Sequence, residues 1–167
     1  YGHVAVEAIH RNAIAFDSPV VTMALVQGDA LGGGFEHALS FDLIVAERSA
    51  KMGLPEILFN MFPGMGAYSF LSRRLGATET ERVILSGKTW QAEELHEMGV
   101  IDILAEPGQG EATVRDYISE RQRRSPNTMM ALERVRKAVN PVTHRELEEI
   151  ALIWVDAALR LRDRDLK

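Results

Sequence analysis

Apolar residues recur at three- and four-residue spacing from Val4 to Phe16, which predicts an amphipathic helix. Ser18-Pro19 breaks it. Val20 to Val26 is a continuous apolar, partly β-branched run and reads as a buried strand. A glycine-rich turn follows, then a short buried helix from Phe35 to Ser40 and a second buried strand from Asp42 to Ala46. Lys51 to Leu54 reads as extended and ends at Pro55. From there the spacing turns helical: Ala67 to Leu75 closed by Gly76, Thr78 to Leu85 closed by Gly87, and Gln91 to Met98 stopped by Gly99. Val100 to Leu104 is a short strand. Thr113 to Arg123, Asn127 to Val139 and Thr143 to Leu161 are the last helices, and Thr143-x-x-Glu146 fits a capping box. Strands alternating with helices in the first third, then helices, predict an α/β fold with a helical C-terminal part.

Composition narrows the chemistry. The chain has 167 residues, 46% hydrophobic and 26% charged, which fits one globular domain. A net charge of -5 gives no electrostatic reason to expect nucleic-acid binding. The absence of cysteine excludes disulfides, thiolate metal sites and a cysteine nucleophile, and is compatible with the cytoplasm. No apolar run reaches the roughly 20 residues that cross a bilayer, so no membrane association is expected. The chain opens on Tyr1-Gly2-His3 and enters its first helix without a cap, which predicts a fragment or processed chain with part of the domain ahead of it.

The candidate chemistry lies in Gly28-Asp29-Ala30-Leu31-Gly32-Gly33-Gly34-Phe35-Glu36, and then in Gly53-Leu54-Pro55-Glu56. Three glycines between a strand and a helix leave backbone N–H groups bare at a helix start, where they can hold a developing negative charge. Equally, glycines can serve tight packing and a turn with positive φ. Glu36 and Glu56 each sit among apolar neighbours, and a buried carboxylate needs a partner or a raised pKa. The plainer alternative for each is a carboxylate near a helix N-terminus. Two carboxylates at one spot can divide the work of general acid and general base.

Other motifs fall away. Ser86-Gly87-Lys88-Thr89 lacks a phosphate loop's first glycine, because that position is Arg82. His3, His10, His37, His96 and His144 show no metal spacing, so no metal is expected. Ser69 and Ser86 lack a nucleophile elbow. Arg121-Gln122-Arg123-Arg124 reads as a solvated face that could also receive an acidic carrier protein. Trp154 reads as core or as a pocket wall.

Taken together, Gln27-Gly28-x-Ala30-Leu31-Gly32-Gly33-Gly34-Phe35-Glu36, Gly53-Leu54-Pro55-Glu56 and Phe62-Pro63-Gly64-Met65-Gly66 resemble the crotonase (enoyl-CoA hydratase/isomerase) superfamily. Ile84-Leu85-Ser86-Gly87-Lys88 and Met98-Gly99-Val100 extend the likeness along most of the chain after residue 20. Within the superfamily, Phe62 to Phe70 and Ile153-Trp154-Val155-Asp156 resemble the diffusible signal factor synthases of bacterial quorum sensing.

The resemblance implies a crotonase-like (ClpP/crotonase) spiral fold. It makes residues 1–167 a single domain incomplete at its N-terminus, with an α/β core portion over 1–106 and a helical region over 107–167. Glu36 and Glu56 match the two catalytic glutamates, Gly33 an oxyanion-hole donor with Gly32 beside it in the substrate-binding turn, and Trp154 a pocket-wall tryptophan. The second oxyanion donor belongs to an earlier strand-loop than these residues include.

The implied enzyme is a lyase of fatty acid metabolism. It dehydrates a 3-hydroxyacyl thioester on acyl carrier protein to a cis-2-enoyl chain, then hydrolyses the thioester to a free acid signal. The alternatives are a CoA-dependent enoyl hydratase or isomerase and a noncatalytic scaffold of the same fold. No cofactor is expected beyond the carrier of the substrate. Family members imply a homotrimer or hexamer in the cytoplasm, and signal synthases a sensor-protein partner, for which these residues show no surface.

Overall fold

Helix α1 (Gly2–Ala13) turns Val6 and Ile9 into the core, as its spacing predicts. It stops short of Phe16 because Ala15, Phe16 and Asp17 all take left-handed φ values of 54°, 55° and 54°. A right-handed helix cannot continue through such residues, and each costs about 1–2 kcal/mol. The reversal buries Ala15 and turns Phe16 to solvent. The structure, a computed structural model, describes residues 2–162 and Asp165. Tyr1 and the side chain of His3 lie outside the described residues.

The α/β part continues with β1 (Met23–Val26), β2 (Ala30–Leu31), α2 (Gly33–Leu39), β3 (Leu43–Glu47) and β4 (Lys51–Gly53). A 3-10 turn over Pro55–Phe59 leads to α3 (Ala67–Leu75), α4 (Ala77–Ser86), β5 (Thr89–Gln91), α5 (Ala92–Glu97) and β6 (Ile103–Ala105). Then come α6 (Gly110–Arg124), α7 (Pro126–Val139) and α8 (His144–Leu159).

Two small sheets result. One has the order β1-β3-β6, all parallel, with Met23 opposite Leu43 and Val45 opposite Ile103. The other has the order β2-β4-β5, with β2 parallel and β5 antiparallel to β4. β3 is buried along its whole length, as a strand covered on both faces must be. The two sheets and the surrounding helices share a core that includes Phe35, Ile44, Met52, Leu71, Leu95 and Leu147.

Several boundaries differ from the sequence pattern for local reasons. β1 starts at Met23, not Val20, because Thr22 N–H and Oγ1 both donate to Asp42 Oδ2, at 2.8 and 3.0 Å, in place of a ladder bond. β6 starts at Ile103 because Val100 and Ile101 N–H groups close the end of α5 on Leu95 O. β2 and β5 are too short to show a period of two. At the start of α8, Thr143 Oγ1 accepts from Glu146 N at 3.1 Å and the Thr143 N–H faces the Glu146 carboxylate, the two halves of a capping box. That carboxylate also takes two bonds from Arg73, at 2.8 and 2.9 Å.

Helix α7 is inverted. Its one buried residue is Glu133, while Leu132, Val135 and Val139 are exposed. A polar contact holds it down: Lys137 Nζ lies 2.8 Å from the buried Asp42. Arg136 pairs with Glu133 within the helix, at 3.0 Å.

Candidate active site

The glycine turn bridges β2 and α2. Gly32 takes φ +55° and donates its N–H to Gly53 O at 2.9 Å, extending the β2–β4 pairing. Helix α2 then begins at Gly33. Gly33 N–H, the first of the helix, has no intrahelical acceptor. Among the described residues nothing else accepts from it.

Glu36 lies one turn into α2 and is only 2% exposed. Its Oε1 accepts from Met65 N–H at 2.7 Å and Ala67 N–H at 3.0 Å, in the loop that opens α3. Burial raises the Glu36 carboxyl from its ordinary value to about 7; the two amides pull it down, and the charge of Glu56 adds to the rise. A carboxyl held there can take and return a proton near neutral pH.

Glu56 stands in the first turn of the Pro55–Phe59 segment and is half-buried. A Cβ on Gly32 would lie 2.8 Å from Glu56 Oε1, so this carboxylate sits directly on the glycine turn. Its Oε2 is buried and has no hydrogen-bond partner. Burial raises the Glu56 pKa as well. Met65 closes the group, its sulfur 3.1 Å from where a Gly33 Cβ would be.

Glu36, Glu56 and Gly33 therefore meet at one place, although twenty residues separate the carboxylates in sequence. Gly32 N–H is bonded to Gly53 O, and any side chain there would collide with Glu56, so its place beside Gly33 in the turn is steric. Of the two readings of Trp154 the core one fails: it is 38% exposed, and its Cδ1 and Cγ edge packs on Gly64, where a Cβ would come within 2.3 Å.

The sequence pattern did not reveal the amides of Met65 and Ala67 as partners of Glu36. The Pro63-Gly64-x-Gly66 run marks a turn, and only its proximity to a buried carboxylate gives it a role. An apolar cleft of about 370 Å³ opens beside this loop, lined by Phe62, Pro63, Tyr68, Ile84, Leu85 and Ile153, among others. The basic run of α6 is exposed, with Arg124 paired to Glu120 and Arg121 over the Tyr117 ring. Lys88 pairs with Glu94 at 2.7 Å and covers the Trp90 ring. Among the described residues, no three His, Asp or Glu side chains come together as metal ligands, and no helix is long and apolar enough to cross a membrane.

Known proteins share this arrangement of elements. The chain is 38% identical over 102 residues to the fatty acid oxidation complex subunit alpha of Pseudomonas syringae pv. tomato, covering 61% of this chain and 14% of that protein. It superposes on an enoyl-CoA hydratase from Bacillus halodurans with a TM-score of 0.72 at 27% identity, covering 96% of this chain and 61% of that one. A putative enoyl-CoA hydratase from Streptomyces avermitilis gives a TM-score of 0.76 at 22% identity over 89% of this chain and 52% of that one, a likeness of fold alone. The chain thus spans a small part of the curated relative and somewhat over half of the solved ones. Its fold is the crotonase-like α/β fold with a helical C-terminal part. The family model for enoyl-CoA hydratase/isomerase matches residues 6–153, and the chain belongs to that family.

Proposed function

We propose that this protein moves water across the C2–C3 bond of an acyl thioester, as a hydro-lyase of the enoyl hydratase type. One observation carries the reading: two carboxylates with raised proton affinity flank a glycine turn whose Gly33 N–H has no acceptor among the described residues. The thioester oxygen sits on that N–H, which stabilises the enolate formed as the C2 proton leaves. One glutamate takes this proton. The other, protonated, delivers its own to the C3 hydroxyl, which departs as water. Each acid or base role is worth roughly 10^2–10^4 in rate. The acyl chain runs into the cleft between the Phe62–Gly66 loop and Ile153. No cofactor takes part, since CoA or acyl carrier protein belongs to the substrate.

A finer reading is a diffusible signal factor synthase, which would dehydrate a 3-hydroxyacyl carrier protein to the cis-2-enoyl chain and hydrolyse the thioester. It is supported by the meeting of the two segments that carry that resemblance, at Gly64 and Trp154. The exposed arginines at the end of α6 suit an acidic carrier. The exposed apolar residues of α8, such as Leu152, Val155 and Leu159, suit a homo-oligomer.

The test is mass spectrometry of products from the full natural polypeptide, given in parallel a 3-hydroxyacyl carrier protein and a trans-2-enoyl-CoA. Hydration of the CoA ester, lost in Glu36→Gln and Glu56→Gln, supports the hydratase. Free cis-2-enoic acid from the carrier-bound substrate supports the signal synthase. Turnover of neither substrate refutes both and leaves the scaffold.

A further inference from the structure

The two amides that hold Glu36 belong to the peptide units Gly64–Met65 and Gly66–Ala67. Each unit begins at a glycine, the residue least able to fix the orientation of the peptide that follows it. The second plane is tied to α3, where Phe70 N–H donates to Gly66 O at 3.1 Å; the first has no such backbone tie among the described residues, so packing from outside the loop must fix it.

Helix α8 touches the loop at those two glycines. The indole of Trp154 lies against Gly64, 2.3 and 2.4 Å from the position a Cβ would take. Leu147, 1% exposed, lies against Gly66, with Cδ2 2.7 Å from the corresponding position. The first turn of α8 is anchored to α3 by the two bonds between Arg73 and Glu146.

We propose that Trp154 is a positioning residue for Glu36: it holds the Gly64–Met65 peptide so that its N–H aims at the carboxylate, while Leu147 adds packing on the Gly66–Ala67 peptide that Phe70 already ties to α3. Trp154 therefore acts on the buried carboxyl through the loop, in addition to any contact with an acyl chain.

The direction of the effect follows from charge. The two amides favour the ionised carboxylate, while burial and the charge of Glu56 oppose it. Release of either peptide plane removes a donor and raises the affinity of Glu36 for its proton.

The role matters for catalysis only if the hydratase reading holds, so the test does not depend on turnover. The protein is labelled with 13C at glutamate side-chain carboxyls and titrated by NMR, with Glu36 assigned through Glu36→Gln. In Trp154→Ala the Glu36 midpoint rises by about one pH unit. Trp154→Phe, which keeps a ring on Gly64, recovers most of the shift. Leu147→Val raises the midpoint by a smaller amount, and a Glu56→Gln background separates the coupling between the two carboxylates.

An unchanged Glu36 midpoint in folded Trp154→Ala overturns the proposal. So does an equal shift in Trp154→Phe. If Trp154→Ala does not fold, Trp154→Leu and Leu147→Val decide by the same criterion. Absence of hydratase turnover in the native protein refutes the functional reading and leaves this titration valid.

Discussion

Glu56 Oε1 occupies the space above Gly32, 2.8 Å from where a methyl group on that glycine would stand. The glycine is thus fixed twice, by its left-handed φ of +55° and by the carboxylate. Gly32→Ala is expected to lower stability by about 2 kcal/mol and turnover at least tenfold, because Glu56 must move. Gly108→Ala is the control, since Gly108 has φ +76° and open space around it. Equal losses of turnover in the two variants would refute a steric role for Gly32.

The proton affinity of Glu36 has a consequence for stability. The folded protein holds this proton up to about pH 7, whereas the ordinary value is 4.5. Between those limits the folded state binds more protons than the unfolded state, so stability falls as pH rises from about 4.5 to about 7. Below 4.5 the contribution is fully present, and above 7 it is lost. The span corresponds to about 3 kcal/mol. Glu36→Gln should flatten that part of the curve, as measured by urea unfolding across pH. A variant whose stability falls as steeply as the native protein's would contradict it.

Arg73 is the main polar tie between α3 and α8. It reaches Glu146 with two nitrogens, and the carbonyls of Ser69, Asn140 and Pro141. Arg73→Ala is expected to cost about 2 kcal/mol, or roughly 4–8 °C in Tm for a chain of this size. Arg73→Lys should recover only part, since a single ammonium cannot replace the planar fork. Calorimetry that finds Arg73→Ala unchanged in Tm would refute this.

The apolar cleft sets an expectation for substrate length. Ile153 is one of its walls and is largely exposed. Ile153→Trp should lower kcat/KM for long acyl chains roughly tenfold and leave short chains little changed. Parallel assays over a chain-length series check it. A loss that is equal at every length would exclude the cleft as the acyl site.

The sequence showed elements best where punctuation was strong. Ala67–Leu75 ends at Gly76 as its spacing predicts. The β2 and β5 strands escaped notice because two or three residues carry no periodicity, and the end of α1 because nothing in Ala15-Phe16-Asp17 announces left-handed backbone. Glu36 and Glu56 were legible as charges among apolar neighbours. Their surroundings were not. The amides on Glu36 come from 29 and 31 positions away, and Arg73 meets Glu146 across 73. Such pairings depend on how helices pack, which local spacing does not encode.

The inverted α7 has a consequence of its own. Helices seated by oily side chains grip harder when a kosmotropic salt such as sulfate is added, because its exclusion from the surface favours apolar burial. α7 is instead seated by Lys137 on Asp42, with Leu132, Val135 and Val139 left in water. Ionic strength weakens such a pair through its exposed partner, and Lys137 keeps 32% of its side chain in water while Asp42 is buried. In concentrated sulfate the core tightens while the tie under this helix weakens, so the molecule carries an element whose grip runs opposite to that of the body it rests on.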